Sequence, residues 1–167
     1  MKSVVLIGPP GAGKSTIGKV LAQKLGLEFI DTDKVIETTT GQKIPDIFLL
    51  EGESKFREIE KSVVLEALTK QNCVIALGGG SVLDSDVEDV LEKMNDVVFL
   101  DVSISNAAPR VGFNRDRPLL LGNPRQQWIS LMEKRRPIYE RIAKCTVSTD
   151  NSKPHEVVAR LMPELTK

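Results

Sequence analysis

Residues 8–15 read GPPGAGKS and directly follow an apolar run at 4–7. They match the phosphate-binding pattern G-x-x-x-x-G-K-[ST], and the residues after them are typical of a helix. In such a loop, backbone N–H groups and the N-terminus of the helix surround phosphate oxygens. Lys14 would reach the β- and γ-phosphates, and the Ser15 hydroxyl would bind Mg²⁺. The sequence therefore predicts a binding site for a nucleoside triphosphate.

Two carboxylates follow the next apolar segment, in the sequence Asp31-Thr32-Asp33. If that segment is a strand, residues two apart face the same side at its end. Asp31 could then serve the shell of a magnesium ion, and Asp33 could orient a hydroxyl or accept its proton. Asp33 could also cap the helix that begins at Lys34. The residues alone leave both roles open for Asp33.

Glycines and arginines supply further candidates for ligand contact. Three consecutive glycines at 78–80 end an apolar run, which favours a close approach of backbone to a ligand. Arg57 and the tract Lys134-Arg135-Arg136-Pro137 carry guanidinium groups that match a carboxylate bidentately. Two converging arginines would bind a small carboxylic acid. Each arginine alone is more typical of a solvated surface.

Residues 112–124 carry glycine and proline at both ends and charges in the middle. A segment of this length without regular structure is typical of a lid or a disordered segment. A lid that carries arginine inward would exclude water and bring positive charge to a transferring phosphoryl group. A solvated surface loop is the alternative.

Short apolar segments alternate with amphipathic ones along the rest of the chain. We expect strands at 3–7, 28–31, 73–77, 97–101 and 143–147. We expect helices at about 14–25, 33–40, 45–51, 53–69, 84–93, 124–141 and 154–165. This alternation predicts an α/β fold with a parallel sheet covered on both faces. Ligands of such sheets collect at the carboxyl ends of the strands.

Composition argues against several partners. Lys plus Arg and Asp plus Glu both number 23, so the formal net charge is zero and we expect no binding of nucleic acid. We expect no membrane association, because no apolar run approaches the roughly 18–20 residues of a span. We expect no secretory leader, because the chain opens on a predicted strand and not on a charged and then apolar segment. Cys73 and Cys145 are expected to be buried free thiols in a reducing cytoplasm.

Taken together, these motifs closely resemble those of the shikimate kinase family. The resemblance runs from Leu6 to about Pro154 and rests on residues 8–16, 31–33, 56–60, 78–80, 117–120 and 135–139. It implies a three-layer α/β/α sandwich with a five-stranded parallel sheet in the order 2-3-1-4-5. It also implies one monomeric domain over residues 1–167, with a lid at about 112–124 and a substrate-binding helical region at about 33–61.

The resemblance implies a reaction as well. The γ-phosphate of ATP would pass to the 3-hydroxyl of shikimate with the help of Mg²⁺, in the route to chorismate and the aromatic amino acids. The nucleotide would be bound by Gly11, Ala12, Gly13, Lys14, Ser15, Thr16, Arg110 and Arg117. Magnesium would be held by Ser15 and Asp31.

Shikimate would be bound by Asp33, Arg57, the Gly79 N–H and Arg135. Catalysis would depend on Lys14, Asp33 and the lid residue Arg117. In the family's R-x-P-x-Y pattern the substrate arginine precedes the proline by two, which selects Arg135 over Arg136. Arg110 would stack on adenine, although Pro109 departs from the family's pattern and is expected to shorten the helix before it.

Two alternatives remain at this point. A gluconate or nucleoside monophosphate kinase shares the loop and the lid, but Arg57, the triple glycine and Arg135 favour a small hydroxy acid. A nucleotide-binding switch protein is the second alternative, and the sequence lacks the Asn-Lys-x-Asp guanine motif. The role of Trp128 stays open between packing and a place beside the substrate arginines.

Overall fold

The computed structural model describes residues 3–111 and 122–166. Its strands are β1 (Val4–Ile7), β2 (Glu28–Asp31), β3 (Cys73–Ala76), β4 (Val97–Asp101) and β5 (Cys145–Ser148). Its helices are α1 (Lys14–Leu25), α2 (Thr32–Thr40), α3 (Ile44–Glu51), α4 (Glu53–Leu68), α5 (Ser85–Glu92), α6 (Ile104–Val111), α7 (Pro124–Ile142) and α8 (Pro154–Leu165). A 3₁₀ turn at Ser81–Leu83 follows the triple glycine.

All five strands form one parallel sheet in the order β2-β3-β1-β4-β5, as predicted. The three central strands are apolar along nearly their whole length because helices cover both faces of the sheet. The edge strands β2 and β5 keep exposed positions. The strand order places the end of β1, and the phosphate-binding loop after it, between the ends of β3 and β4.

A second, smaller core lies under the helical region α2–α4. It consists of Ile36, Ile47, Phe56 and Val63 and is separate from the main core around the sheet. The Phe48 and Phe56 rings pack with their centroids 4.7 Å apart. This cluster holds α3 and α4 as one wall beside the carboxyl ends of β2 and β3.

One helix differs from the prediction, and it contains a proline. The helix α6 was not among the expected elements, and it continues through Pro109 to Val111. The expectation that Pro109 shortens this helix is therefore wrong. Ala107 and Val111 are buried, so packing outweighs the hydrogen bond that proline removes. The helix α7 likewise runs unbroken through Pro137.

Smaller corrections concern the last strand and its cysteine. We expected a strand at 143–147, but Ala143 donates its N–H to the Tyr139 carbonyl at 3.0 Å and so ends α7. Cys73 and Cys145 are not joined in a disulfide. Cys73 is buried as expected, whereas Cys145 is only half-buried because β5 is an edge strand.

None of the helices in residues 3–111 and 122–166 combines the length and the apolar character that crossing a bilayer requires.

The contact between α1 and β2 generates a stability prediction. A Cβ at Gly18 would lie 3.2 Å from Leu6 Cδ1 and would overlap the ring of Phe29. Gly18→Ala gains about 1 kcal/mol of helix propensity but overpacks this contact, at a cost of about 1–3 kcal/mol. We expect a net loss of stability in urea unfolding. The exposed neighbour Lys19→Ala should change stability by less than about 0.5 kcal/mol. A Gly18→Ala protein at least as stable as wild type would refute this account of the contact.

Candidate active site

The carboxyl ends of β1, β2 and β3 open into a cavity of about 530 Å³. The helical region α2–α4 forms one side of it and α7 the other. Six residues predicted for substrate or metal line this cavity together: Ser15, Asp31, Asp33, Arg57, Gly79 and Arg135. Ile44, Pro45, Phe48 and Phe56 add an apolar wall. The cavity therefore offers charged groups and an apolar surface to one small ligand.

The phosphate-binding loop joins β1 to α1 as predicted, and it carries Gly11, Ala12 and Gly13 before Lys14, Ser15 and Thr16 in the first turn of the helix. Gly11 and Gly13 have φ values of 84° and 89°, a backbone conformation that residues other than glycine rarely adopt. The Lys14 ammonium donates to the carbonyls of Gly8 at 2.7 Å and Pro9 at 3.0 Å. The positive charge thus lies directly over the loop.

Neighbouring elements hold this loop from outside. A Cβ at Gly11 would come within 3.0 Å of the Ala107 backbone, so α6 packs directly on the loop. Arg110 donates to the Gly11 carbonyl at 3.2 Å and to the Thr149 hydroxyl and carbonyl at 3.0 and 2.8 Å. From α7, the indole Nε1 of Trp128 donates to the Pro10 carbonyl at 2.9 Å.

The Asp31 carboxylate joins the first turn of α1 to the start of α2. One oxygen accepts the Ser15 hydroxyl at 2.5 Å, and the other accepts the backbone N–H of Asp33 at 3.1 Å and of Lys34 at 3.4 Å. The cap of α2 is therefore Asp31, and the capping alternative for Asp33 is wrong. The Asp33 side chain instead lines the cavity.

The triple glycine makes room for charged side chains from three elements. A Cβ at Gly78 would lie 2.8 Å from an Asp33 carboxylate oxygen and 2.9 Å from one of Glu60. At Gly79 it would lie 3.1 Å from Arg135 Nη1, and at Gly80 it would overlap the Arg57 guanidinium. Side chains at these positions would displace the groups that line the cavity.

The two predicted carboxylate-binding arginines lie on opposite sides of these glycines. Arg57 Nη1 donates to Glu60 at 2.7 Å, and its guanidinium lies 5.3 Å from the centre of the Phe56 ring. Arg135 is 97% buried, within the cavity wall. The structure therefore brings both guanidinium groups to one cavity.

Arg136 points away from that cavity. Its Nη1 and Nη2 donate to the two carboxylate oxygens of Asp101 at 3.0 and 2.8 Å. The hydrogen bonds to Asp101 raise the pKa of Arg136, and its guanidinium lies 5.7 Å from the centre of the Phe99 ring. Both oxygens of Asp101 are thus engaged in fixing α7 to β4.

Tyr139 closes the inner end of the site. Its hydroxyl donates to the Gly79 carbonyl at 2.5 Å, and its ring stacks on Phe99 with a centroid distance of 5.1 Å. Burial raises the pKa of Tyr139 to about 12, although the Arg135 charge lowers it. The phenol therefore stays protonated and remains a donor at neutral pH.

Sequence reasoning missed Glu60 and assigned no hydrogen bond to Trp128 or Tyr139. Glu60 could have been found, because it follows Arg57 by three residues on a helix and pairs at that spacing are adjacent. The Trp128 bond joins residues 118 apart and has no local signal. Arg117 and most of the segment 112–124 lie outside the described residues.

A metal site rests on few protein ligands. Within residues 3–111 and 122–166, no three His, Cys, Asp or Glu side chains converge. Ser15 and Asp31 form a pair of oxygen ligands beside the loop. Mg²⁺ binds through one or two protein oxygens together with waters and substrate phosphates, so this pair fits that ion.

Comparison with known proteins gives consistent results. The family model described as shikimate kinase matches residues 10–166. A shikimate kinase of Rhodococcus erythropolis is 48% identical over 162 residues, covering 96% of this chain and 95% of the relative. A shikimate kinase of Streptomyces coelicolor is 47% identical over 154 residues, covering 92% and 90%.

Comparison with solved structures points to the same family. The shikimate kinase from Acinetobacter baumannii in complex with shikimate superposes with a TM-score of 0.96 at 34% identity, covering 99% of this chain and 93% of the other. A deoxyadenosine kinase from M. mycoides with bound dATP has a TM-score of 0.64 at 17% identity, covering 99% and 100%, and shows the shared fold alone. The phosphate-binding loop, the cavity and these matches lead to one conclusion: the chain belongs to the shikimate kinase family.

Proposed function

We propose that this chain transfers the γ-phosphate of ATP to the 3-hydroxyl of shikimate, giving shikimate 3-phosphate and ADP. The observation that carries the proposal is the convergence of Arg57, Arg135 and Asp33 in a cavity that also reaches Ser15 beside the phosphate-binding loop. An acidic, hydroxylated ring needs cationic groups, a hydrogen-bond acceptor and an apolar surface. This cavity supplies all three next to a phosphate site.

On the acceptor side, Arg57 and Arg135 bind the carboxylate from opposite walls. Glu60 holds the Arg57 guanidinium in place, and the Gly79 N–H gives the acceptor a further hydrogen bond. Asp33 binds the hydroxyls of the ring and orients the attacking one, accepting its proton as the bond to phosphorus forms. Because phosphoryl transfer has a loose transition state, orientation is the larger part of this contribution.

On the nucleotide side, the N–H groups of residues 11–16 bind the phosphates. Lys14 exchanges its loop carbonyls for β- and γ-phosphate oxygens and stabilises the charge of the transferring group. Arg110 of α6, held by the Thr149 hydroxyl and carbonyl just after β5, stacks on adenine. Ser15 and Asp31 would hold Mg²⁺, which supplies charge neutralisation and alignment of the phosphates when it is bound.

The proposal extends to the lid, the domain organisation, the oligomeric state and the location of the protein in the cell. Arg117 closes on the phosphates from a lid at about 112–124, and residues 33–61 form the substrate-binding region of a single domain. The protein acts as a monomer in the cytoplasm.

A coupled assay of ADP production tests the reaction. Purified, folded protein with Mg-ATP is given shikimate, quinate, gluconate or a nucleoside monophosphate as acceptor. We expect release of ADP that depends on shikimate. Equal release with all acceptors, or none with shikimate, would contradict the proposal.

The first prediction from this arrangement concerns Lys14→Met. Its ammonium lies over the phosphate loop and not against the acceptor wall, so turnover should fall below detection while shikimate affinity stays within about threefold. Titration calorimetry with shikimate measures the affinity. Loss of shikimate binding in a folded Lys14→Met protein would show that the lysine serves the acceptor.

Asp33→Asn separates catalysis from helix capping. Because Asp31 is the cap of α2, Asp33→Asn should change the free energy of unfolding by less than about 1 kcal/mol relative to wild type. It should lower kcat by about 10²- to 10⁴-fold. Asp31→Ala, which removes the cap, is the comparison variant and should lose about 0.5–2 kcal/mol of stability as well as activity. If Asp33→Asn keeps activity within a few-fold of wild type, the carboxylate does not orient the acceptor.

Adjacent arginines on α7 should behave differently. Arg135→Ala should weaken shikimate binding by about 2–5 kcal/mol, roughly 30- to several-thousand-fold, because a desolvated partner of the carboxylate is lost. Arg135→Lys should not restore binding, since an ammonium lacks the planar fork. Arg136→Ala should change affinity by less than about 1 kcal/mol but lower stability through the pair with Asp101. A larger loss of affinity at 136 would refute the assignment.

A further inference from the structure

We infer that one face of α7 positions both substrate sites, with Trp128 fixing the nucleotide loop and Tyr139 fixing the acceptor glycine. The two residues are eleven apart, about three helical turns and roughly 16 Å, so they lie on the same face of the helix. This inference rests on the proposed function, because it assigns the two sites to ATP and shikimate.

The acceptor half depends on the Tyr139 hydroxyl, which is fully buried and donates to the Gly79 carbonyl at 2.5 Å. Glycine has the largest backbone freedom of any residue, so a hydrogen bond at this carbonyl restricts the peptide that would otherwise rotate most easily. The ring cannot shift to follow it, because it stacks on Phe99. Tyr139 therefore holds Gly79 in a single orientation beneath the acceptor.

Tyr139 also reaches the substrate arginine. Arg135 lies one helical turn earlier, and its positive charge lowers the pKa of Tyr139 that burial raises, as a guanidinium close to the phenol does. The Nε of Arg135 is buried and has no hydrogen-bond partner among the described residues. Tyr139 is thus bonded to Gly79 and lies close to the buried guanidinium of Arg135, so one ring adjoins both acceptor-binding groups.

The nucleotide half depends on Trp128, which is 96% buried and donates its indole N–H to the Pro10 carbonyl at 2.9 Å. Pro10 is part of the phosphate-binding loop and also lines the acceptor cavity. The bond ties the outer side of the loop to α7. Since α7 is continuous between the two residues, it sets the distance from the phosphate loop to the acceptor glycine.

Two variants that remove one polar group each test this division. Tyr139→Phe keeps the ring and should raise the KM for shikimate about tenfold while the KM for ATP changes less than about twofold. Trp128→Phe should do the reverse, raising the KM for ATP about tenfold and leaving that for shikimate within about twofold. Arg136→Ala is the control: it removes the pair with Asp101 that fixes α7 to β4 and lowers the melting temperature without removing either hydrogen bond, so both KM values should stay within about twofold.

Spectroscopy on the wild-type sequence tests the same division without any substitution in the site. Trp128 is the only tryptophan and Tyr139 the only tyrosine in the chain. ADP should change the tryptophan fluorescence, and shikimate alone should not. With fluorotyrosine incorporated at position 139, shikimate should shift the ¹⁹F resonance and ADP should not.

The inference is overturned if both variants raise the two KM values in equal proportion, or if neither variant changes a KM. It is also overturned if shikimate alone changes the Trp128 fluorescence, or if ADP shifts the ¹⁹F resonance at position 139. If a variant does not fold, the wild-type probes still decide. A wild-type protein that phosphorylates no shikimate contradicts the proposed function. A wild-type protein that does so, with variants that fail to separate, contradicts only the inference.

Discussion

The site depends on the absence of side chains at residues 78–80. Each of these glycines faces charged groups, which come from α2, α4 and α7: Asp33 and Glu60 at the first, Arg135 at the second and Arg57 at the third. A single methyl group at any of them would displace the group that faces it. The end of β3 is therefore a fixed centre around which the helical region and α7 close, and the cavity is the space that remains between them.

Charge in this cavity is held at fixed positions before any ligand binds. Arg57 is paired with the buried carboxylate of Glu60, and Arg135 lies enclosed beside Tyr139. A guanidinium that is already oriented loses less freedom when it meets a carboxylate than a solvated one does. The apolar wall around Phe48 and Phe56 excludes water from one side, which strengthens each of these interactions.

Features of the fold and the site that depend on local sequence could be predicted, whereas contacts between residues far apart in the chain could not. The phosphate-binding loop, the strand order and the place of Arg135 were predicted, because local pattern and the family's motifs determine them. The sequence left Asp33 open between catalysis and capping of α2, and the structure gives the cap to Asp31, whose carboxylate accepts the N–H groups of Asp33 and Lys34. The helix around Pro109 was missed because buried Ala107 and Val111, not local propensity, maintain it. The Trp128 and Tyr139 hydrogen bonds have backbone partners, and backbone acceptors leave no trace in residue identity.

The contacts of Lys14 have a consequence for the energetics of nucleotide binding. Its ammonium is hydrogen-bonded to the Gly8 and Pro9 carbonyls in the nucleotide-free protein. A phosphate oxygen must replace these acceptors, so the lysine contributes to affinity only the difference between an anionic and a neutral acceptor. Lys14 is therefore hydrogen-bonded both before and after the nucleotide binds, and its contribution to nucleotide affinity is the net free energy of exchanging one set of acceptors for another.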